Sequence, residues 1–190
     1  MVLSASVPPH PSRQGLPPAL ATLCDRPDGT YLMEPMGLHM VQIYKQGTYL
    51  HLALLDQHTL QSDWVQTTVD LTDPWRLVSP SARALARMVD WGLPLGHLYL
   101  AGIGGGQLAR VLHHRLPQTH LTAVDIDPAM VTLAQTYFGV VPDHRLQMVV
   151  ADGRQYLADR PQRYDGILIN VALGNGYVPH RLGTEEFFAL

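Results

Sequence analysis

The run Leu98-Tyr-Leu-Ala-Gly-Ile-Gly-Gly-Gly106 joins an apolar segment directly to a turn with four glycines in five positions. Few folds accommodate that junction. Glycines let a chain reverse at positive φ and let backbone approach a group that any side chain would block. A parallel strand that ends in such a turn delivers its carboxyl end to a ligand. From Leu98 onward the pattern alternates between strand and helix. Gln107 to Arg115 reads as a helix stopped before Pro117, and Leu121 to Asp125 as a second strand. Asp127-Pro128 opens a helix that runs to about Phe138, before Gly139. Leu146 to Val150 is a third strand, followed by a short helix from Gly153 to Ala158. A fourth strand lies within Tyr164 to Asn170, and Thr184-Glu185-Glu186 caps a last helix. This rhythm predicts an α/β protein with a doubly wound parallel sheet. The fourth strand, with Gly166, Ile167, Leu168 and Ile169, is expected at an uncovered edge, where a second copy of the chain or another partner would pair with it unless the chain is a fragment of a longer protein.

Upstream the pattern differs. Residues 1–28 contain Pro8, Pro9, Pro11, Pro17 and Pro18 among small and polar residues, a composition expected of a flexible arm that also holds Cys24. Residues 29–72 are assigned to a small antiparallel β unit. Its strand-like stretch is residues 37–66, with Val41 and Ile43 alternating against Met40, Gln42 and Tyr44, and Gln46-Gly47 as a turn. Residues 73–96 are read as a linking helix. Ser79 is its cap and Pro80 its first residue; Leu85, Met88 and Val89 form its apolar face, and Gly92 ends it. Residues 97–190 are read as a separate α/β domain that carries the glycine turn.

Composition narrows the function classes. A net charge of -3 over 190 residues argues against a nucleic-acid footprint. No apolar run is long enough for a membrane span, and the first residues lack a secretory pattern. A single cysteine excludes an internal disulfide, and a cytoplasmic location is expected. The ten histidines show no ligand spacing: His113 and His114 are adjacent and read as surface helix residues, so no metal is expected. His180 and Tyr177 fall in the loop expected to lie over the ligand.

The acidic residues refine the ligand class. A dinucleotide turn needs glycine at the sixth position of Gly-x-Gly-x-x-Gly, and that position, counted from Gly102, is Gln107. Asp125, at the tip of the second strand, is placed to accept hydrogen bonds from both ribose hydroxyls. Asp152-Gly153 follows the third strand. Asp127, before Pro128, reads as a helix cap. These features favour a nucleoside.

Gly102, Gly104 and Gly106 then fit Gly-x-Gly-x-Gly, which resembles the turn of class I S-adenosylmethionine-binding proteins. The blocks Leu98–Leu112, Ala123-Val-Asp-Ile-Asp-Pro128, Ala151-Asp-Gly153, Tyr164-Asp-Gly-Ile-Leu-Ile-Asn170 and Val178-Pro-His-Arg-Leu-Gly-Thr-Glu-Glu-Phe-Phe188 resemble those of the spermidine synthase (polyamine aminopropyltransferase) family, in its spermidine-synthase-like branch. The β unit, with Leu55-Asp56 and Gln61-Ser62, is similar to that family's small N-terminal domain. The resemblance implies a Rossmann-like class I methyltransferase fold, here lacking the family's last strand and closing hairpin. It implies S-adenosylmethionine or its decarboxylated form as ligand and no metal. The ligand set would be Gly102, Gly104, Gly106, Asp125, Ile126, Asp152, Gly153 and Gln61, with Asp152 near the adenine amino group. The implied reaction moves an aminopropyl group from a sulfonium to a small-molecule amine.

Two positions depart from the family. Its general-base aspartate falls on Asn170, and an amide cannot take a proton as a carboxylate does. The second acidic residue of that loop falls on or near Leu173. Trp75-Arg76-Leu77 also stands where the family has a Tyr-His-Glu-like segment, and Arg76 would repel a diamine if it faced the pocket. The residues leave open an aminopropyltransferase with another proton acceptor, a methyltransferase in which Asn170 orients the nucleophile, and a non-catalytic binding or assembly subunit.

Overall fold

The computed structural model describes residues 16–36, 39–56, 58–61, 65–90, 94–160, 163–171 and 178–189. Its first element corrects the expectation of a flexible arm for the last residues of that segment. Pro18–Cys24 form helix α1, with Leu20 and Leu23 buried. Proline in a first helical turn loses no hydrogen bond, because the N–H groups there have no intrahelical partner. The prolines that read as disorder here start a helix whose leucines seal a core.

That core is the inner face of an antiparallel sheet, strands β1 (Gly29–Met36), β2 (His39–Gln46), β3 (Tyr49–Asp56) and β4 (Val65–Asp70), paired in sequence order. Val41 and Ile43, Leu50 and Leu52, and Val69 point inward at the two-residue period of a strand. Gln46 pairs with Tyr49, so the β2–β3 turn is Gly47-Thr48, one residue later than expected, with Gly47 at φ 59°. β1 precedes the strand-like stretch read from the sequence, because most of it is exposed and it lacks a clear alternation.

Helix α2 (Pro80–Met88) starts as expected, with Ser79 Oγ accepting from Ala82 N. Its inner face differs from expectation. Ala82 and Ala86 are buried, Leu85 and Val89 are half-buried, and Met88 is 47% exposed. Small residues at this contact let the helix lie close to its neighbour, helix α3 (Gln107–Arg115). Gly92 lies outside the described residues.

The remaining elements are β5 (His97–Ala101), α3 (Gln107–Arg115), β6 (His120–Asp125), α4 (Pro128–Thr136), β7 (Leu146–Val150), α5 (Gly153–Ala158), β8 (Gly166–Ile169), a 3-10 turn at His180–Leu182, and α6 (Glu185–Phe188). The four strands pair in parallel in the order β7-β6-β5-β8. β5 is covered on both faces. Leu98 and Leu100 pack with Leu108, Val111 and Leu112 of α3, whereas Tyr99 and Ala101 pack with Tyr156, Leu157, Leu182 and Phe187 on the opposite side. Each such leucine contributes about 1.5–3 kcal/mol by leaving water. Helix α4 joins the two sheets, since its Met130 and Leu133 enter the core of the antiparallel sheet and its Ala134 the core over α3.

The strand order positions the site. From β5 the chain steps outward through β6 to β7, then crosses back to lay β8 on the other side of β5. At such a switch point the connections leave in opposite directions and open a crevice beyond the carboxyl ends of the strands. β8 is an edge strand among the described residues, with Ile167 exposed on it.

Candidate functional site

A cavity of about 830 Å³ opens at that switch point. One wall is the C-terminal edge of the parallel sheet: Gly102 to Gly104 after β5, Asp125 to Asp127 after β6, Asp152-Gly153 after β7, and Asn170 after β8. The rest is formed by residues of β2 to β4, the start of α2, and the chain around the 3-10 turn. A volume within about 300–1,000 Å³ suits a small molecule.

The glycine turn is fixed from three sides. Gly102 sits at φ 89°, and a Cβ there would overlap the backbone carbonyl of Asn170, whose N–H donates to Ala101 O at 2.7 Å. Asp125 Oδ2 accepts from Ile103 N at 2.8 Å and Gly104 N at 3.2 Å, while its Oδ1 accepts from Asp127 N at 3.0 Å. Gly105 N donates to Thr67 Oγ1 of β4 at 2.9 Å, and a Cβ on Gly105 would lie 2.8 Å from that side chain. The antiparallel sheet therefore helps to shape the turn.

Asp152 has two tasks. Oδ1 caps α5 by accepting from Arg154 N and Gln155 N, and Oδ2 forms an ion pair with Arg181. Arg154 Nη1 in turn donates to Arg181 O at 2.8 Å and to Thr184 Oγ1 at 3.2 Å, tying the chain around the 3-10 turn to α5. Beneath the neighbouring glycine, Tyr99 Oη donates to Gly153 O at 2.8 Å. Burial pushes the Tyr99 phenol well above its ordinary range, so it keeps that proton.

Gly102, Gly104, Asp125, Ile126, Asp152, Gly153 and Asn170 thus meet at one cavity. Two expected members do not. Gly106 is outside the lining and caps α3, where a Cβ would lie 2.5 Å from Val140 Cγ2 and 3.0 Å from Ala134 Cβ; its role is helix packing. Gln61 is exposed in the β3–β4 connection and is not among the lining residues. Asp56 governs that turn. Its Oδ1 accepts from the N–H groups of Thr59 and His58, which hold its carboxyl below the usual carboxylate range, and its N–H donates to Gln61 O. Leu173 and Tyr177 lie outside the described residues.

Other side chains are placed differently from expectation. Arg76 does not line the cavity; it forms an ion pair with the nearly buried Asp70. His113 is half-buried and lies 3.2 Å from Asp143; burial lowers its pKa and Asp143 partly offsets this. His114 stacks on Trp75 at 4.0 Å. His180 is exposed and outside the lining, whereas Arg181 beside it faces the cavity. Thr67 carries no motif that sequence reading could have used, and Arg181, although inside the block Val178–Phe188, was not singled out there. Among the described residues no cluster of three or more His, Cys, Asp or Glu could hold a metal ion, and no helix is long and apolar enough to cross a membrane.

Comparison with known proteins agrees with this geometry. Residues 100–182 match a family described as a methyltransferase domain. The chain is 33% identical over 130 residues to the polyamine aminopropyltransferase of Chromobacterium violaceum, a match covering 68% of this chain and 49% of that protein. A probable spermidine synthase from Corynebacterium glutamicum superposes with a TM-score of 0.66 at 21% identity, covering 86% of this chain and 58% of that one. A spermidine synthase solved with the transition state analogue AdoDATO gives a TM-score of 0.61 at 20% identity, covering 84% and 52%. The chain spans about half the length of the curated relatives it matches. The fold is thus that of the Rossmann-like class I methyltransferases. With the antiparallel sheet set before the parallel one, its fold resembles that of the spermidine synthases.

Proposed function

We propose that the cavity binds an S-adenosylmethionine-type sulfonium nucleoside and that the protein transfers an alkyl group from it to a small-molecule acceptor. The observation that carries this reading is the glycine turn held by Asp125 at the β5–β8 switch point, with Asp152-Gly153 one strand further along. A carboxylate has about four acceptor sites, and three backbone N–H groups use part of that capacity at Asp125. What remains serves a ribose hydroxyl. The carboxylates of this wall also suit a cationic sulfonium.

The chemistry is an in-line displacement. The carbon–sulfur bond breaks with its electron pair going to sulfur, which becomes a neutral thioether. An acceptor nitrogen or oxygen bonds to the carbon and loses its proton to solvent water. The sulfonium is already a good leaving group, so positioning is the main task of the protein. The Asn170 side-chain carbonyl can orient an acceptor N–H or O–H, but it is not a proton acceptor of carboxylate strength. Aminopropyl transfer from the decarboxylated nucleoside is one reading, supported by the similarity to aminopropyltransferases. Methyl transfer from S-adenosylmethionine is the second, favoured by Asn170 and by the methyltransferase-domain match.

Titration calorimetry with S-adenosylmethionine, its decarboxylated form and methylthioadenosine tests the proposal. Saturable one-to-one binding of at least one is expected. Preference for the decarboxylated form supports aminopropyl transfer, and preference for S-adenosylmethionine supports methyl transfer. Binding by none of the three overturns the reading.

A further inference from the structure

We infer that the acceptor is an uncharged, largely apolar small molecule and not a polyamine, an inference that rests on the nucleoside-binding reading of the same cavity. The three carboxylates among the described lining residues, Asp125, Asp127 and Asp152, all belong to the connections after β6 and β7. Each is already engaged: Asp125 with the glycine turn, Asp127 with Ala129 N as the cap of α4, and Asp152 with α5 and Arg181.

The part of the lining drawn from β3, β4 and the start of α2 has a different chemistry. Leu54, Val65, Val78 and Ala82 present apolar surface, and Thr68 and Ser79 present hydroxyls. Asn170, between the two walls at the end of β8, is a neutral amide.

A diamine carries two ammonium groups at neutral pH. Moving an ammonium out of water is costly unless an opposite charge meets it at hydrogen-bond distance. The acceptor part offers no such charge among its described residues, and the Arg181 guanidinium in the lining adds a like charge. An uncharged ligand bears none of this cost. It gains instead from burying apolar surface against Leu54, Val65, Val78 and Ala82, while the Thr68, Ser79 and Asn170 side chains can satisfy one polar group.

The test compares near-isosteric probes. Protein saturated with methylthioadenosine is titrated at pH 7.5 with benzyl alcohol, benzylamine and putrescine, and ligand-observed NMR gives the affinities. Benzyl alcohol is expected to bind at least tenfold more tightly than either amine. Val65→Asp, at a position exposed enough to tolerate a charge, and Asn170→Asp are each expected to narrow or close the gap by raising putrescine affinity at least tenfold. Amines that bind the unaltered protein as tightly as the alcohol, or an alcohol that does not saturate, overturn the inference. The same titrations are run without nucleoside. Failure of methylthioadenosine to bind therefore counts against the proposed function, while the probe preference is still read directly.

Discussion

The two walls of the cavity are built on different principles. The wall at the edge of the parallel sheet is polar, and its groups are held in place: Asp125 by three backbone N–H groups, Asp152 by α5 and Arg181, Gly153 by Tyr99. The wall drawn from the antiparallel sheet and α2 carries no carboxylate among its described residues; it combines apolar side chains and hydroxyls with His39 and Gln66. Pre-fixed polar groups give orientation at little cost when a ligand arrives. An apolar wall gives affinity through area and little orientation. On the proposed reading, donor recognition and acceptor selection are separable, and a chain could retain the first while changing the second.

The largest effect should come from the element that seals the apolar wall. Leu20→Ala or Leu23→Ala opens the core beneath β2 to β4 and is expected to cost about 2–5 kcal/mol, read as a lower midpoint in urea unfolding. Nucleoside affinity measured well below that midpoint should change little. A parallel loss of affinity in the folded protein would show that the walls are not separable.

Asp125→Ala comes next. It removes the acceptor for Ile103 N and Gly104 N together with the proposed ribose partner. At least a hundredfold loss of nucleoside affinity is expected, equal to about 2.8 kcal/mol at 1.4 kcal/mol per tenfold, with benzyl alcohol binding nearly preserved. Calorimetry on the variant reads both. Unchanged nucleoside affinity would remove Asp125 from the site.

Thr67→Val tests the one contact that joins the walls directly. Gly105 N loses its partner at 2.9 Å while side-chain volume is kept. A loss of about 1 kcal/mol is typical for such a bond, and it should appear as a nucleoside affinity weaker by severalfold, restored by Thr67→Ser. Equal affinities in all three proteins would make the contact incidental.

The smallest effect concerns pH. Burial alone would raise the Asp70 carboxyl, but hydrogen bonds from Thr72 and Arg76 outweigh this and hold it below its ordinary value of 3.8. A carboxyl with a depressed folded value adds stability that is complete above the ordinary value and is lost as pH falls through the folded one. Acid unfolding of the unaltered protein should therefore steepen below about pH 4. Asp70→Asn should flatten that limb without altering nucleoside affinity at pH 7.5. An identical acid limb would show that the Asp70–Arg76 pair contributes nothing measurable.

How far the sequence revealed these walls follows from the range of the interactions involved. β5 to β8 and their helices could be read almost to the residue because their signals are local: an apolar run, a glycine turn, and Asp or Thr caps at helix starts. That Asp125, Asp152 and Asn170 meet at one cavity could be read for the same reason, since strand tips on a parallel sheet converge by topology. α1 was hidden because its prolines mark both disorder and a first helical turn, and the sheet face that buries Leu20 lies more than twenty residues downstream. Thr67 and Arg181 were hidden because one hydroxyl and one guanidinium become functional only through partners distant in sequence, Gly105 and Asp152. Gly106 misled through its spacing: it completes a ligand-type motif, yet its missing side chain makes room for Val140.

The central claim is that a sulfonium nucleoside lies across the tips of β5, β6 and β7. Backbone amide spectra of ¹⁵N-labelled protein titrated with S-adenosylmethionine test it most directly. Saturable shifts are expected at Gly102 to Gly105, at Ile126 and at Gly153, with the amides of β1 unmoved. A glycine turn that does not respond at saturating ligand, or shifts confined to the antiparallel sheet, would contradict the account.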